Sequence, residues 1–330
     1  MSARGSDGSP AGFRVAVPAT SANLGPGFDA LGLALDWHDE VEVQLTSGDL
    51  DVSVSGEGAD DVPRDSGHLV VRAMHATFDA LGVARPGLAL RCTNSIPHGR
   101  GLGSSAAAIV AGVLAARALT LGPAEHARAD RPHDPELDML TIAAEMEGHP
   151  DNVAPCLLGG ATVAWASSGR FRAEKLAVHP EIRPVVYVPD AAVSTEAARG
   201  LLPDAVPLVD AARTAGRAAM LVEALGRRPD LLFDATEDWL HQEYRRPAMV
   251  RSIELVESLR ADGRAAVLSG AGPSVLVLSA GGAEVSPVAG WDVRQIAVDR
   301  RGASVVALDP AGLDENAHEG YDTVAIGHED

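Results

Sequence analysis

The chain is short of lysine, aromatic residues and cysteine, and each shortage removes a class of function. Lysine occurs once in 330 residues, at Lys175 in the context FRAEKLAV. A P-loop NTPase needs GxxxxGK[ST], and a protein kinase needs a strand lysine behind its glycine-rich loop, so neither can be assembled here. Pyridoxal-phosphate chemistry would have to use Lys175, which sits in no recognisable motif. Any phosphate this chain handles is gripped without an ammonium group. With five Phe, four Trp and three Tyr, stacking platforms for single-stranded nucleic acid are scarce. Basic residues number 27 against 46 acidic ones, and the resulting formal charge of −19 repels polyanions. Nucleic acid is not an expected partner.

Cys92 and Cys156 stand far apart with no CxxC spacing, which suggests neither a zinc ribbon nor a disulfide framework and fits a reducing cytoplasm. The opening MSARGSDGSPAG is polar and glycine-rich without an apolar h-region. Residues 1–12 are therefore expected to be a disordered tail, in a protein that is not exported. The longest strongly apolar stretch, Ala106 to Ala116, is interrupted by Arg117 and falls short of the ~20 residues a bilayer-spanning helix needs. No membrane span is expected. Hydrophobic residues at 46% and charged residues at 22% describe an ordinary globular chain, and its length favours two lobes.

Periodicity places strands at 13–18, 29–35, 40–45 and 50–55, the last two with the period of two expected of half-buried antiparallel strands. A helix over 68–81 ends at Gly82, and a strand at 88–93 leads into a small-residue helix over 104–119. A charged loop at 124–133 reads as a surface insertion before a helix at 134–146. Strands at 160–166 and 185–188, helices at 194–201, 208–225 and 249–259, a strand pair within 265–278 and two late strands near 291–298 and 303–308 complete a mixed second half. The lobe boundary is placed near 165, giving lobes over 13–165 and 166–310. Residues 311–330 hold six acidic and no basic side chains and read as a solvated tail.

The strongest chemical signal is IPHGRGLGSSAAAIVAGVLAA, from Ile96 to Ala116. Gly99, Gly101 and Gly103 leave backbone amides unshielded, and Ser104 and Ser105 open a long helix whose dipole favours an anion. Small residues let phosphates approach closely, and a serine hydroxyl there can ligate Mg²⁺. Taken alone, the glycines could equally be a serine-capped connector.

The run Pro97-x-x-x-Gly101-Leu102-Gly103-Ser104-Ser105-Ala106-Ala107 resembles the ATP-binding motif of the GHMP small-molecule kinases. Two further motifs of that family occur in the expected order, PATSANLGPGFDALGLAL at 18–35 and SGAGPS at 269–274, so the resemblance spans roughly residues 13–280. Within the family, Asn23 before LGPGFD, the stretch GHPDNVAP at 148–155 and STEAAR at 194–199 are similar to the homoserine kinase branch. The resemblance implies an α+β, two-lobed GHMP kinase-like fold, with an N-terminal lobe like ribosomal protein S5 domain 2, a ferredoxin-like C-terminal lobe and the site in the cleft between them. It implies ATP and Mg²⁺, phosphorylation of the L-homoserine hydroxyl on the way to threonine, and a possible homodimer.

Carried onto this sequence, the family pattern assigns Pro97, His98, Gly99, Arg100, Gly101, Leu102, Gly103, Ser104, Ser105, Ala106 and Ala107 to ATP. It assigns Asn23, Asp29, His149, Asn152, Thr195, Arg199, Arg245 and Gly272 to the amino acid substrate. Arg199 and Arg245 suit a carboxylate, Asp29 suits an ammonium, and Asn23, His149 and Asn152 suit the hydroxyl. Mg²⁺ is expected on Glu145 with Ser104 or Ser105, with Glu147 as the competing carboxylate. Some relatives use an aspartate base near Asp151; the expectation here is a mechanism without one, because a loose phosphoryl-transfer transition state is served mainly by positioning and charge. His68, His75 and the remaining histidines lack HExxH spacing and read as surface or core residues. The rival readings are a relative acting on a mevalonate-like or sugar alcohol, and a nucleotide-binding regulator without turnover.

Overall fold

The computed structural model describes residues 12–121, 138–281 and 287–308. The expected tail at 1–12 (save Gly12), the insertion at 124–133 and the acidic tail at 311–330 lie outside the described residues.

Strand β1 (Gly12–Ala22) runs antiparallel to β2 (Leu31–Thr46). The alternation of FRVAVP aims Val15 and Val17 into the core with no exposure. The ladder shifts register between Pro18 and Ala19. Proline has no N–H to donate, so the strand steps past this point and continues. That step is why the sequence reads β2 as two strands when it is one.

Strand β3 (Asp51–Gly56), helix α1 (Leu69–Ala80) and strand β4 (Gly87–Asn94) form a crossover in which β3 and β4 pair in parallel, and β4 pairs antiparallel with β2. The antiparallel character expected of the 50–55 strand is therefore corrected, since β3 runs parallel to β4. An alternating pattern reports which face is buried and says nothing of the partner's direction. Next come α2 (Ser104–Leu121), α3 (Met139–Glu147) and α4 (Val153–Leu158), then the hairpin β5 (Ala161–Ser167) and β6 (Arg170–Leu176), with β5 on the start of β2.

The chain then builds β7 (Val185–Pro189), α5 (Thr195–Arg199), α6 (Leu208–Gly226), α7 (Leu232–Ala235), α8 (Val250–Ala261), β8 (Ala265–Leu268), β9 (Val275–Leu278) and β10 (Trp291–Gln295). The second sheet has the order β10-β7-β9-β8, antiparallel throughout, which is the strand order of a ferredoxin-like sheet. Strand β11 (Ser304–Ala307) returns to pair with β1. The boundary near 165 is thus misplaced at both ends: β6 still belongs to the first sheet, and so does β11. Nor are the lobes cored separately. Val186, Val267, Leu276 and Leu278 on one face of the second sheet belong to the same buried cluster as β1, β2 and α2, whereas the other face packs on α8 through Ile253 and Val256.

Helix α2 is the axis of that core. Of its 18 residues, those from Ala106 to Ala118 are buried with the sole exception of Ala108. Among the described residues it alone is long and apolar enough to cross a membrane, but its apolar surface is spent on α1, α3, β1 and β2. Gly112 is what lets α1 come so close, since a Cβ there would lie 2.7 Å from the Ala73 Cβ and run into the Val70 carbonyl. Helix propensity alone would make Gly112→Ala stabilising by roughly 0.5–1 kcal/mol. Backbone cannot yield as a side-chain tip does, so we expect the substitution to cost about 1–3 kcal/mol instead. A urea denaturation midpoint equal to or above that of the parent would contradict this packing account.

Candidate active site

The cleft is lined by eight stretches of the chain, around a cavity of about 350 Å³. Its floor is the 97–103 loop and the start of α2. The first intrahelical bond runs from Ala107 N to Gly103 O (2.8 Å), so the amides of Ser104, Ser105 and Ala106 have no partner within the helix. Gly101 and Gly103 both take φ near +71°, in the left-handed region. A Cβ on Gly103 would collide with Thr20 Oγ1, and one on Gly101 would lie 2.6 Å from the Gly272 carbonyl oxygen. Only hydrogen side chains permit this loop.

The SGAGPS segment braces the loop from behind. Ser269 Oγ donates to Gly101 O (2.6 Å) and lies 2.9 Å from Ser21 Oγ, while Ser274 N donates to Arg100 O (3.3 Å) and Gly270 N to Ala22 O (3.1 Å). Thr20 completes the brace: its N donates to Leu102 O (3.0 Å) and its hydroxyl to Asn152 Oδ1 (2.8 Å). At the loop's entrance the buried Asp39 carboxylate accepts from Ser95 N (2.6 Å) and Ile96 N (2.9 Å).

Several expected contacts move when the geometry is in hand. Ala106 and Ala107 are fully buried on the core side of α2, and Ala108 and Ala111 line the cavity in their place. The 3.6-residue period puts 104, 108 and 111 on one face, so this was recoverable from spacing. Arg100 lines the mouth but spends its guanidinium on the carbonyls of Pro189 (3.0 Å), His98 (2.6 Å) and Asp190 (2.5 Å), clamping the loop to the second lobe. The His98 ring abuts Gly58. Gly272 stands behind Gly101, and Gly270 and Ala271 line the cavity instead.

The carboxylate assignment is corrected as well. Glu145 is exposed and away from the cavity, whereas Glu147 lines it and accepts from Ser105 Oγ (2.6 Å). Two residues are about 200° of helix rotation, so only one of the pair can face the serines. Burial pushes the Glu147 carboxyl above its ordinary range, against the hydrogen bond from Ser105. A half-buried carboxylate beside two hydroxyls and free amides, short of compensating charge, is an oxygen donor set that suits a hard divalent cation.

Asp29 meets Arg199, which lines the cavity, in a two-pronged contact of 2.5 and 3.2 Å. Both side chains are about a third exposed, at 37% and 34%. Such a pair is worth no more than about 1 kcal/mol and opens readily. Phe28, quoted in the sequence motif without a role, lies beneath both cations, 5.7 Å from the Arg199 guanidinium and 5.8 Å from that of Arg245. Arg245 is buried, and burial followed by the neighbouring Arg199 cation pushes its pKa down to about 10. Asn23, at φ +67°, spends its amide on the loop: Oδ1 accepts from Asp29 N (3.0 Å) and Nδ2 donates to Gly270 O (2.8 Å). Thr195 and Asn152 line the cavity. His68, read from sequence as an ordinary core or surface histidine, is buried yet lines the far end of the cavity, with no hydrogen-bond partner for Nδ1.

His149 lines the cavity with Nδ1 2.7 Å from the buried Asp151 carboxylate. Burial lowers the imidazole's proton affinity, but the Asp151 hydrogen bond and charge, with Glu147 behind them, outweigh it and hold the pKa above the ordinary 6.5. The proton's stabilising effect is full below the unfolded value and fades as pH rises through the folded one. Asp151→Asn removes the main support, so the His149 titration followed by NMR should move to lower pH; an unmoved midpoint would refute the dyad.

The sequence profile of the GHMP kinases N terminal domain matches residues 68–160. A homoserine kinase of Streptomyces avermitilis is 55% identical over 305 residues, covering 90% of this chain and 97% of that protein. One from Streptomyces coelicolor is 54% identical, covering 91% and 96%. The crystal structure of homoserine kinase from Cytophaga hutchinsonii superposes with a TM-score of 0.76 at 27% identity, over 90% of this chain and 98% of that one. Leishmania major mevalonate kinase, at 17% identity and a TM-score of 0.56, shares the fold. With relatives of this identity matched over nearly their whole length, the chain belongs to the homoserine kinase family of the GHMP kinases.

Proposed function

We propose that this chain transfers the γ-phosphoryl group of ATP to the side-chain hydroxyl of L-homoserine, giving O-phospho-L-homoserine and ADP. The observation that carries the reading is the Asp29–Arg199 pair, whose arginine lines the same cavity as the glycine loop and the start of α2. Its two members complement the ammonium and carboxylate of a zwitterion, and a loosely held pair can exchange its internal bond for those two. A sugar or a mevalonate-like alcohol brings no such pair of charges to satisfy both groups.

The amides of residues 104–106 and the α2 dipole hold the phosphates, with charge stabilisation in a partly dried cleft. Glu147, Ser104 and Ser105 would hold Mg²⁺, which neutralises phosphate charge when bound. Arg245 and Arg199 bind the carboxylate and Asp29 the ammonium. Asn23 acts by fixing the loop that carries Asp29. Asn152, held by Thr20, and His149, held by Asp151, orient the hydroxyl for in-line attack. The Asp151 carboxylate raises the proton affinity of His149 and is itself occupied by that imidazole, which favours the expected base-free reaction.

A coupled ADP-release assay across homoserine, mevalonate, shikimate and galactose tests the proposal. Turnover should be confined to homoserine; turnover of another alcohol in its place, or no ADP at all, contradicts it. Glu147→Gln should raise the Mg²⁺ requirement and lower kcat at least 10²-fold, and Glu145→Gln should change neither; the reverse pattern would restore Glu145. Asp151→Asn should keep kcat within about tenfold. A loss of about 10²–10⁴-fold in a folded variant is what removal of a general base gives, and would overturn the base-free account.

A further inference from the structure

His241 belongs to none of the sequence motifs and is fully buried between α7 and the helical turn Glu243–Ala248. Its backbone is fixed by Asp238, whose carboxylate accepts from the amides of Leu240 (2.8 Å), His241 (3.1 Å) and Gln242 (2.9 Å). Both ring nitrogens are engaged. Nε2 lies 2.7 Å from the Gly25 carbonyl oxygen, and Nδ1 lies 2.9 Å from Arg245 Nη1. A carbonyl only accepts and a guanidinium only donates, so the ring is the neutral tautomer with its proton on Nε2 and a bare Nδ1. Burial, the largest influence on this imidazole, lowers its proton affinity in the same sense. The ring also stacks on Phe28, with centroids 5.1 Å apart and planes at 26°.

The consequence falls on Arg245. Its Nη1 has two hydrogens, one for His241 Nδ1 and one for Gly270 O (3.0 Å). Both are consumed, and Nε has no hydrogen-bond partner. The free side of the guanidinium is therefore the Nε–Nη2 edge, the one that grips a carboxylate with two parallel bonds. We propose that His241 is a positioning residue for the amino acid substrate: its bare Nδ1 fixes the rotation of Arg245, and its Nε2 proton ties that cation to the loop carrying Phe28 and Asp29. This rests on reading Arg245 as a carboxylate-binding group.

The two bonds can be separated by substitution. His241→Asn keeps an acceptor near the Nδ1 position, whereas His241→Gln keeps a donor near Nε2 and loses that acceptor. Steady-state kinetics with ATP and homoserine should give His241→Gln a homoserine KM at least tenfold higher, with kcat within threefold and the ATP KM within twofold. His241→Asn should restore the homoserine KM to within threefold of the parent. The double variant His241→Gln with Arg245→Met should match Arg245→Met alone. An unchanged homoserine KM in His241→Gln, an equal rise in both KM values, or additive effects in the double variant would overturn the proposal. If Arg245→Met itself leaves the homoserine KM unchanged, the carboxylate reading of Arg245 is what fails. Should the His241 variants not fold, ¹⁵N NMR of the parent protein decides: a protonated Nε2 with bare Nδ1 supports the proposal, and a proton on Nδ1 refutes it.

Discussion

The absence of a phosphate-gripping lysine throws the work of binding a polyanion onto backbone amides, and amides reach a phosphate only where no side chain intervenes. The rest of the architecture follows from that constraint. Gly101 and Gly103 sit where any Cβ would strike Gly272 O or Thr20 Oγ1. The loop they form is braced by Ser269 from behind, by Thr20 from β1 and by Asp39 at its entrance. Helix α2 must then stay still, and it does so by being buried on nearly every side. Gly112 closes the approach of α1 at the level of Val70 and Ala73. In the proposed function a chain of −19 net charge can bind an anion here because the field at the helix mouth is local, set by free N–H groups within a few ångströms, whereas the diffuse surface charge is screened by salt over about 10 Å.

In the proposed function, substrate choice falls to Asp29, Arg199 and Arg245. Asp29 and Arg199 satisfy one another at low cost, so neither of these two charges is left uncompensated. Arg245 is different: it is buried, its proton affinity is depressed by burial and by Arg199, and its Nε has no hydrogen-bond partner, which leaves the edge that the proposal gives to the substrate carboxylate. Phe28 serves as a common platform beneath both guanidinium groups. In the proposed function the amino acid meets one group already engaged and one held in wait.

Much of this was legible in the sequence because the cradle is written in local chemistry. Glycines flanked by serines at a helix start, and a glycine-rich strand turn at 269–274, carry their meaning in consecutive residues. What was not legible depends on rotation and on distance along the chain. Glu145 and Glu147 are indistinguishable until the helix is turned, and only Glu147 meets Ser105. Alternation could not reveal that β3 pairs in parallel with β4, nor could a missing N–H at Pro18 show that β2 runs on without a break. His241 reaches Gly25 across 216 positions, a contact no spacing rule contains. The lobe boundary failed for the same reason, since β11 rejoins the first sheet from the far end of the chain.

The central claim concerns which atoms hold the terminal phosphates, and a crystal structure with Mg²⁺ and a non-hydrolysable ATP analogue tests it most directly. The account predicts β- and γ-phosphate oxygens within hydrogen-bond distance of the amides of residues 101–106, with the metal touching Glu147. Phosphates held chiefly by arginine side chains, or seated away from the start of α2, would contradict it.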